Sequence, residues 1–311
     1  MSRLNKAKPF LKWAGGKRQL IGTIDQLIPD GVKDGTITRF VEPFIGAGSV
    51  FLHIRQRYPI EEFHISDFNP DLANAYVVIR DELEPLLDDL RALADEYLPL
   101  EHEQRGEVFY RIRDEYNSGR GCLGSEEMGE EKVLRAAQTI FLNRTCFNGL
   151  YRVNSKGDYN VPHGRYKNPP IRDAENLLCV SHALQGVSVS CGSYEICEPH
   201  VNEDTFVYLD PPYRPLPNTA SFTDYAKTAS FGDSDQEELA NFFTRMSERG
   251  AMLMLSNSDP HVTDEEDDFF DDLYGDFTIR RVEATRAINS DGGGRGAITE
   301  ILVTNYGSES S

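Results

Sequence analysis

Cysteine is scarce in this chain and poorly placed for structural use. Cys122, Cys146, Cys179, Cys191 and Cys197 are odd in number and never spaced as C-x-x-C. That pattern excludes a disulfide framework or a zinc knuckle and points to a reducing cytoplasm. No uninterrupted apolar run approaches the ~18–20 residues that span a bilayer. The opening MSRLNKAKPFLKW lacks the apolar segment of a secretory signal, so no membrane association is expected. Lysine is scarce too, at 9 residues against 23 Arg, and tryptophan occurs once. With 51 acidic against 32 basic residues the formal charge is −19. Acid excess with lysine depletion suggests a surface adapted to concentrated salt, where carboxylates stay hydrated and their repulsion is screened. An ordinary acidic cytosolic enzyme is the alternative, and composition leaves both open. The 311 residues, 39% of them hydrophobic, suffice for one large α/β domain or two ordinary ones.

Taken whole, −19 argues against a nucleic-acid partner, but the charge is unevenly spread. Residues 1–20 carry Arg3, Lys6, Lys8, Lys12, Lys17 and Arg18 with no acid, giving +6. Residues 143–172 carry Arg144, Arg152, Lys156, Arg165, Lys167 and Arg172 against Asp158 alone, giving +5. These 50 residues hold +11, so the other 261 hold −30. Basic segments on an acidic body, interleaved with Phe147, Tyr151, Tyr159 and Tyr166, are the footprint of a nucleic-acid contact.

Strand signals alternate with helical ones, which predicts an α/β fold with a parallel sheet. TRFVEPF (38–44), FHISD (63–67), FVYLD (206–210) and AMLMLSN (251–257) read as short strands. SVFLHIRQRY fits a helix with Val50, Phe51, Ile54 and Tyr58 on one face. Between the last two strands, Ser234 and Glu237 form an S-x-x-E capping box ahead of an apolar stripe that ends at Gly250. From about residue 76 to 142 the signals are helical and acidic, and 143–172 read as a basic, hairpin-bearing loop. Residues 76–174 are therefore predicted to form a mostly helical insertion in an α/β domain made of 1–75 and 175–311. The run DEEDDFFDD (264–272) lacks the glycine and ligand spacing of a calcium loop and reads as a solvated acidic face, so no metal is expected.

Three segments carry chemistry. In FVEPFIGAG, a strand runs into Phe44-x-Gly46-x-Gly48, where the absent Cβ lets backbone pass close to a ligand. It is neither a full G-x-G-x-x-G nor a phosphate loop. Asp67, 19 residues after Gly48 at the end of the next strand, suits a ribose diol. A nucleoside without a pyrophosphate fits, and S-adenosylmethionine is the obvious one. Asp210-Pro211-Pro212-Tyr213 follows a strand directly, and the prolines stiffen the chain at the sheet edge where α/β ligands bind. A purine amine is a poor nucleophile because its lone pair is delocalised. Hydrogen bonds to the Asp210 carboxylate and the Pro211 carbonyl would localise that pair, with Tyr213 stacked on the base. Finally, PFLKWAGGKRQL places Trp13 beside Gly15, Gly16 and Lys17, a stacking face with close backbone approach.

With KWAGGK, FVEPFIGAG, the basic loop and DPPY in this order, the chain resembles the Dam-type DNA adenine-N6 methyltransferases of the D12 class. The likeness extends to NRTCFNGLYRVNSKGDYNVPHGRYKNP (143–169), PLPNTASFTDY, LSNSD (255–259) and Arg295…TEILVTNY. It implies a Rossmann-like S-adenosylmethionine-dependent methyltransferase sheet as the catalytic domain, with the insertion as its target-recognition domain, acting on double-stranded DNA as a monomer or weak dimer. Trp13, Lys17, Glu42, Phe44, Gly46, Gly48, Asp67, Tyr194 and Asp210 would surround the cofactor. Asp210, Pro211, Pro212 and Tyr213 would act on an adenine flipped from the duplex. Phe147 would wedge between bases, with Arg144, Asn148, Leu150, Pro162 and Arg165 along the DNA. Lys12 and Arg152 would read bases, and a guanidinium suits guanine, as in readers of GATC. Thr145-Cys146-Phe147 and Tyr151 depart from the commoner family pattern. Methylation of a protein glutamine or an RNA adenine would fit DPPY but leaves the long basic loop unexplained. A catalytically dead DNA-binding regulator would have no use for intact Asp210, Tyr213 and Asp67.

Overall fold

The computed structural model describes residues 6–124, 127–214, 231–284 and 298–307, so the expectations placed on PLPNTASFTDY and Arg295 lie outside the described residues. Seven strands form one sheet: β1 Arg39–Glu42, β2 Glu62–Asp67, β3 Val187–Cys191, β4 Thr205–Leu209, β5 Met252–Ser258, β6 Thr278–Ala284 and β7 Ile298–Thr304. Their spatial order is β3-β2-β1-β4-β5-β7-β6. The first five run parallel, while β7 lies antiparallel between β5 and β6. The all-apolar reading of FVYLD has a direct cause: every residue of β4 is buried, because the strand lies at the centre of the sheet with both faces covered.

Ten α-helices accompany the strands among the described residues. They are α1 Ile21–Leu27, α2 Asp30–Asp34, α3 Ser49–Arg57, α4 Pro70–Asp81, α5 Leu83–Tyr97, α6 His102–Ser118, α7 Glu130–Thr145, α8 Ala174–Leu184, α9 Asp233–Glu248 and α10 Phe269–Leu273. The chain turns from β1 into α3 through Gly48, in the left-handed region at φ 72°. Val50, Phe51 and Ile54 are buried as their spacing predicts. Asn69 caps α4 by accepting from the amides of Asp71 and Leu72, and Pro70 takes the first helical position. The start of α9 differs from expectation. The helix begins at Asp233, before Ser234, and Asp235 accepts from the Gly232 amide at 2.7 Å. An aspartate one turn in serves the cap, so Ser234 and Glu237 are not needed for it.

The expected junction at 75/76 falls inside α4, which runs on to Asp81 and is followed after Glu82 by α5. Helices α5 to α7 nevertheless share one continuous apolar core with the sheet. Phe40, Phe63 and Tyr208 belong to the same buried cluster as Leu90, Phe109 and Phe141. Between α7 and α8 the basic segment forms a short hairpin, with Val153 bridged to Tyr159 and Asn154 closing the turn onto Asp158. No helix among the described residues is long and apolar enough to cross a membrane.

Candidate active site

Neighbouring β1 and β4 lead outward to β2 on one side and β5 on the other, so their carboxyl ends flank the sheet's switch point. Glu42 ends β1, Asp67 ends β2, Asp210 follows β4, and Ser256 to Ser258 close β5. A narrow cleft lies over this edge. Of the residues expected around the cofactor, Trp13, Lys17, Glu42, Gly46, Gly48 and Asp210 line it. Phe44, Asp67 and Tyr194 stand beside it. Phe44 and Tyr194 face each other with ring centroids 5.6 Å apart. Asp67 braces the glycine turn, accepting from the Gly46 amide at 3.1 Å and the Asn69 amide at 2.9 Å.

The glycines are required by contact as well as by conformation. A Cβ at Gly46 would come within 3.1 Å of the Trp13 ring, and one at Gly48 would lie 2.6 Å from the Tyr76 hydroxyl. That hydroxyl donates to the Gly46 carbonyl at 3.0 Å, closing the turn from below.

Lys17 is the cation of the cleft. It is buried, with Nζ 2.7 Å from Asp210 Oδ1 and 2.6 Å from the Gly15 carbonyl. Ser256 Oγ donates to the same Asp210 oxygen at 3.0 Å and contacts the Tyr208 hydroxyl at 3.0 Å. Among the described residues both hydrogen bonds to Asp210 fall on Oδ1. Burial raises the Asp210 pKa, against the pull of Lys17 and Ser256. Burial, then the nearby Asp210 charge, hold the Glu42 carboxyl well above the usual range, and its Oε2 has no hydrogen-bond partner. Burial also pushes Asp67 up to about 6. Lys17 is thus paired with Asp210, and Glu42 lies buried beside the pair with one carboxyl oxygen unpartnered.

The segment after β4 is fastened from β5. Asn257 Oδ1 accepts from the Arg214 amide, Ser258 Oγ donates to the Arg214 carbonyl, and Gln236 donates to the Pro212 carbonyl. Tyr213 places its ring 4.5 Å from Lys17 Nζ and donates its hydroxyl to Glu300 of β7. Ser256 and Glu300 carried only a weak sequence signal, polar residues within the Ser-Asn-Ser end of β5 and beside Thr299 in β7. Phe68, directly after Asp67, was missed as well, and it is the most exposed large apolar side chain described, at 71%.

The expected DNA-contacting residues divide. Phe147 is 53% exposed, and Lys12, Arg152, Pro162 and Arg165 are exposed too. Asn148 is the single non-glycine residue with positive φ among those described, at 57°, and Leu150 is half-buried behind it. One side chain joins this turn to the N-terminal segment. Asn143 accepts from the Lys12 amide at 2.9 Å and donates to the Lys12 and Gly149 carbonyls at 2.8 and 3.0 Å. Two cations counted toward the basic face are bonded within the protein. Lys17 is turned onto Asp210, and Arg144 lies largely buried, donating to the Phe10 carbonyl at 2.7 Å. Its place on a helix buried almost all round explains the inward aim. The acidic run is knitted by cations. Arg214 reaches Asp267 at 2.6 Å, Arg281 reaches Asp271 at 2.7 Å, and His261 lies 3.0 Å from Asp268.

A family model described as D12 class N6 adenine-specific DNA methyltransferase matches residues 13–288. The type II methyltransferase M.MjaIII of Methanocaldococcus jannaschii is 45% identical over 302 residues, covering 97% of this chain and 100% of that protein. The type II methyltransferase M1.LlaDCHI of Lactococcus lactis is 38% identical, over 96% of each. The DNA adenine methylase of Escherichia coli K12 is 33% identical, over 96% of this chain and 95% of its own. With DPPY at the sheet edge and the glycine turn beside it, this chain belongs to the D12 class of adenine-specific DNA methyltransferases.

Proposed function

We propose that the cleft takes S-adenosylmethionine and that the acceptor is an adenine flipped out of double-stranded DNA within GATC. The residues present fit that donor. The Gly46–Gly48 cradle admits close backbone approach, Asp67 suits the ribose hydroxyls, and the orphaned Glu42 Oε2 suits an ammonium group. The donor, when bound, supplies a methyl group activated on a positively charged sulfur.

Everything else falls to the chain. With Oδ1 of Asp210 held by Lys17 and Ser256, Oδ2 is the oxygen that accepts the adenine amine and localises its lone pair. Tyr213, anchored by Glu300, offers its ring to the base. Phe147 fills the gap left in the duplex, and Arg152 and Lys12 read neighbouring bases. Free thiols at Cys146, Cys179, Cys191 and Cys197 suit a reducing cytoplasm, and the lysine-poor acidic surface suits concentrated salt.

The observation that carries this reading is Asp210, half-buried and oriented by Lys17 and Ser256 at the mouth of a glycine-lined, acid-rich cleft. Its test is expression in a host free of DNA methylation, with N6-methyladenine mapped by single-molecule sequencing. Modified GATC sites are expected from the wild type. Asp210→Asn, which avoids leaving Lys17 beside an emptied pocket, is expected to lose at least ~10²-fold in turnover while binding duplex as before. Methylation of a different sequence would overturn the GATC assignment, and undiminished turnover by the variant would overturn the role of Asp210.

A further inference from the structure

We propose that Tyr151 is a positioning residue that couples occupancy of the donor cleft to the seating of the DNA-reading loop. The inference rests on the donor and DNA reading above.

Asp71 sits in the first turn of α4, two residues beyond Asn69, whose amide is held by Asp67. Only 5% exposed, Asp71 divides its carboxylate between α7 and the basic loop. Oδ1 takes the Arg135 guanidinium of α7 at 2.5 Å, and Oδ2 takes the Tyr151 hydroxyl at 3.0 Å. Arg135 is itself buried, donates to the Tyr116 carbonyl at 2.7 Å, and lies over the Tyr116 ring at 4.1 Å. The Asp71–Arg135 pair is therefore fixed, and Tyr151 is the loop's connection to it.

The Tyr151 ring is engaged on both sides. Its centroid is 5.3 Å from that of Trp13, which lines the cleft against Gly46, and 5.7 Å from Tyr159 across the hairpin. The next residue is the exposed Arg152, which rests on Asn160 at 2.7 Å. Tyr151 thus touches the donor side twice, through Trp13 and through Asp71, and is one peptide bond from the expected base reader. A ligand that shifts Trp13 or the Asp67 turn acts on the same ring and hydroxyl that set where Arg152 emerges. Such coupling is reciprocal, so DNA must tighten the donor site by the factor with which the donor side tightens DNA.

The test is a binding cycle with S-adenosylhomocysteine, an unreactive product, and a duplex carrying the mapped site. Dissociation constants are measured by calorimetry for each alone and each in the presence of the other. In the wild type the two are expected to tighten each other by an equal factor, roughly fivefold or more. Tyr151→Phe keeps the ring stack and deletes only the hydroxyl, so each ligand still binds alone while the mutual factor falls toward one. Tyr159→Phe is the control: it deletes a hydroxyl that donates to the Leu150 carbonyl at 3.0 Å and leaves Asp71 untouched. The factor is expected to survive there. The inference is overturned if Tyr151→Phe keeps the wild-type factor, if both variants lose it alike, or if Tyr151→Phe binds neither ligand alone, which would make the hydroxyl structural. Absence of mutual tightening in the wild type also overturns it. A wild type that binds no S-adenosylhomocysteine marks a separate failure, that of the donor reading.

Discussion

The glycine-lined cleft and the basic loop between α7 and α8 solve opposite problems of stability. The cleft encloses ionisable groups: buried Lys17 and Glu42 and half-buried Asp210 lie together at the sheet edge, the two acids at the ends of core strands. The loop exposes charge and an aromatic ring, and its shape is held by backbone-directed hydrogen bonds from side chains such as Asn143, Asn117 and Asn154. Chemistry that needs atoms fixed to fractions of an ångström is placed where the dielectric is low. Recognition that has to adapt to a duplex is placed where water competes.

The contrast can be broken most severely at Gly48. Gly48→Ala puts a Cβ 2.6 Å from the Tyr76 hydroxyl at a residue whose φ is 72°. Loss of measurable S-adenosylhomocysteine binding is expected in calorimetry, with duplex affinity retained because the loop is untouched. Parallel loss of both would show that the two regions are not separable in this way. Arg152→Ala strikes the other region and is expected to be milder. It should relax discrimination at one base pair by ~1–3 kcal/mol, read as the ratio of kcat/KM on cognate and singly substituted duplexes, with donor affinity unchanged. The smallest effect concerns pH. Burial holds Asp67 at about 6, above its ordinary 3.8, so the empty cleft retains a proton there that ribose hydroxyls would displace by donating to the carboxylate. Affinity for S-adenosylhomocysteine should therefore fall as pH drops through 6, by up to about tenfold per unit, and be level above it. In the absence of ligand the sign is reversed, since the raised pKa makes this group's contribution to stability decline as pH rises from about 4 to 6. Asp67→Asn should abolish both slopes.

Much of the sheet could be read from the chain because β1, β2, β4 and β5 each carry a short stretch of buried apolar residues ending in a carboxylate or a turn, and those signals are local, whereas β3, Val-Ser-Val-Ser-Cys at the sheet edge, carries no such run. The glycine turn, Asp67 and DPPY were legible for the same reason. What could not be read are pairings across long separations. Nothing near Lys17 shows that it would be claimed by Asp210, and nothing near Tyr151 announces Asp71. Arg144 illustrates a second limit. On a helix with one wet face its charge would have marked the outside, but α7 is buried almost all round and its polar residues face protein. The α9 cap was misplaced because Ser234 and Asp235 are both competent caps, and only the path of the chain into the helix chooses between them.

The core shared by α5 to α7 and the sheet constrains how such an enzyme can change its target. Helices that contribute Leu90, Phe109 and Phe141 to the catalytic core cannot be exchanged as a cassette without leaving voids on both sides. The stretch between α7 and α8 is tied into the same core by Cys146, Tyr159, Val161 and Ile171, while Phe147, Arg152, Pro162 and Arg165 stand exposed between them. On the proposed reading, new specificities in this scaffold are most accessible at those exposed positions, which can change without a void, and least accessible by recombination of whole domains.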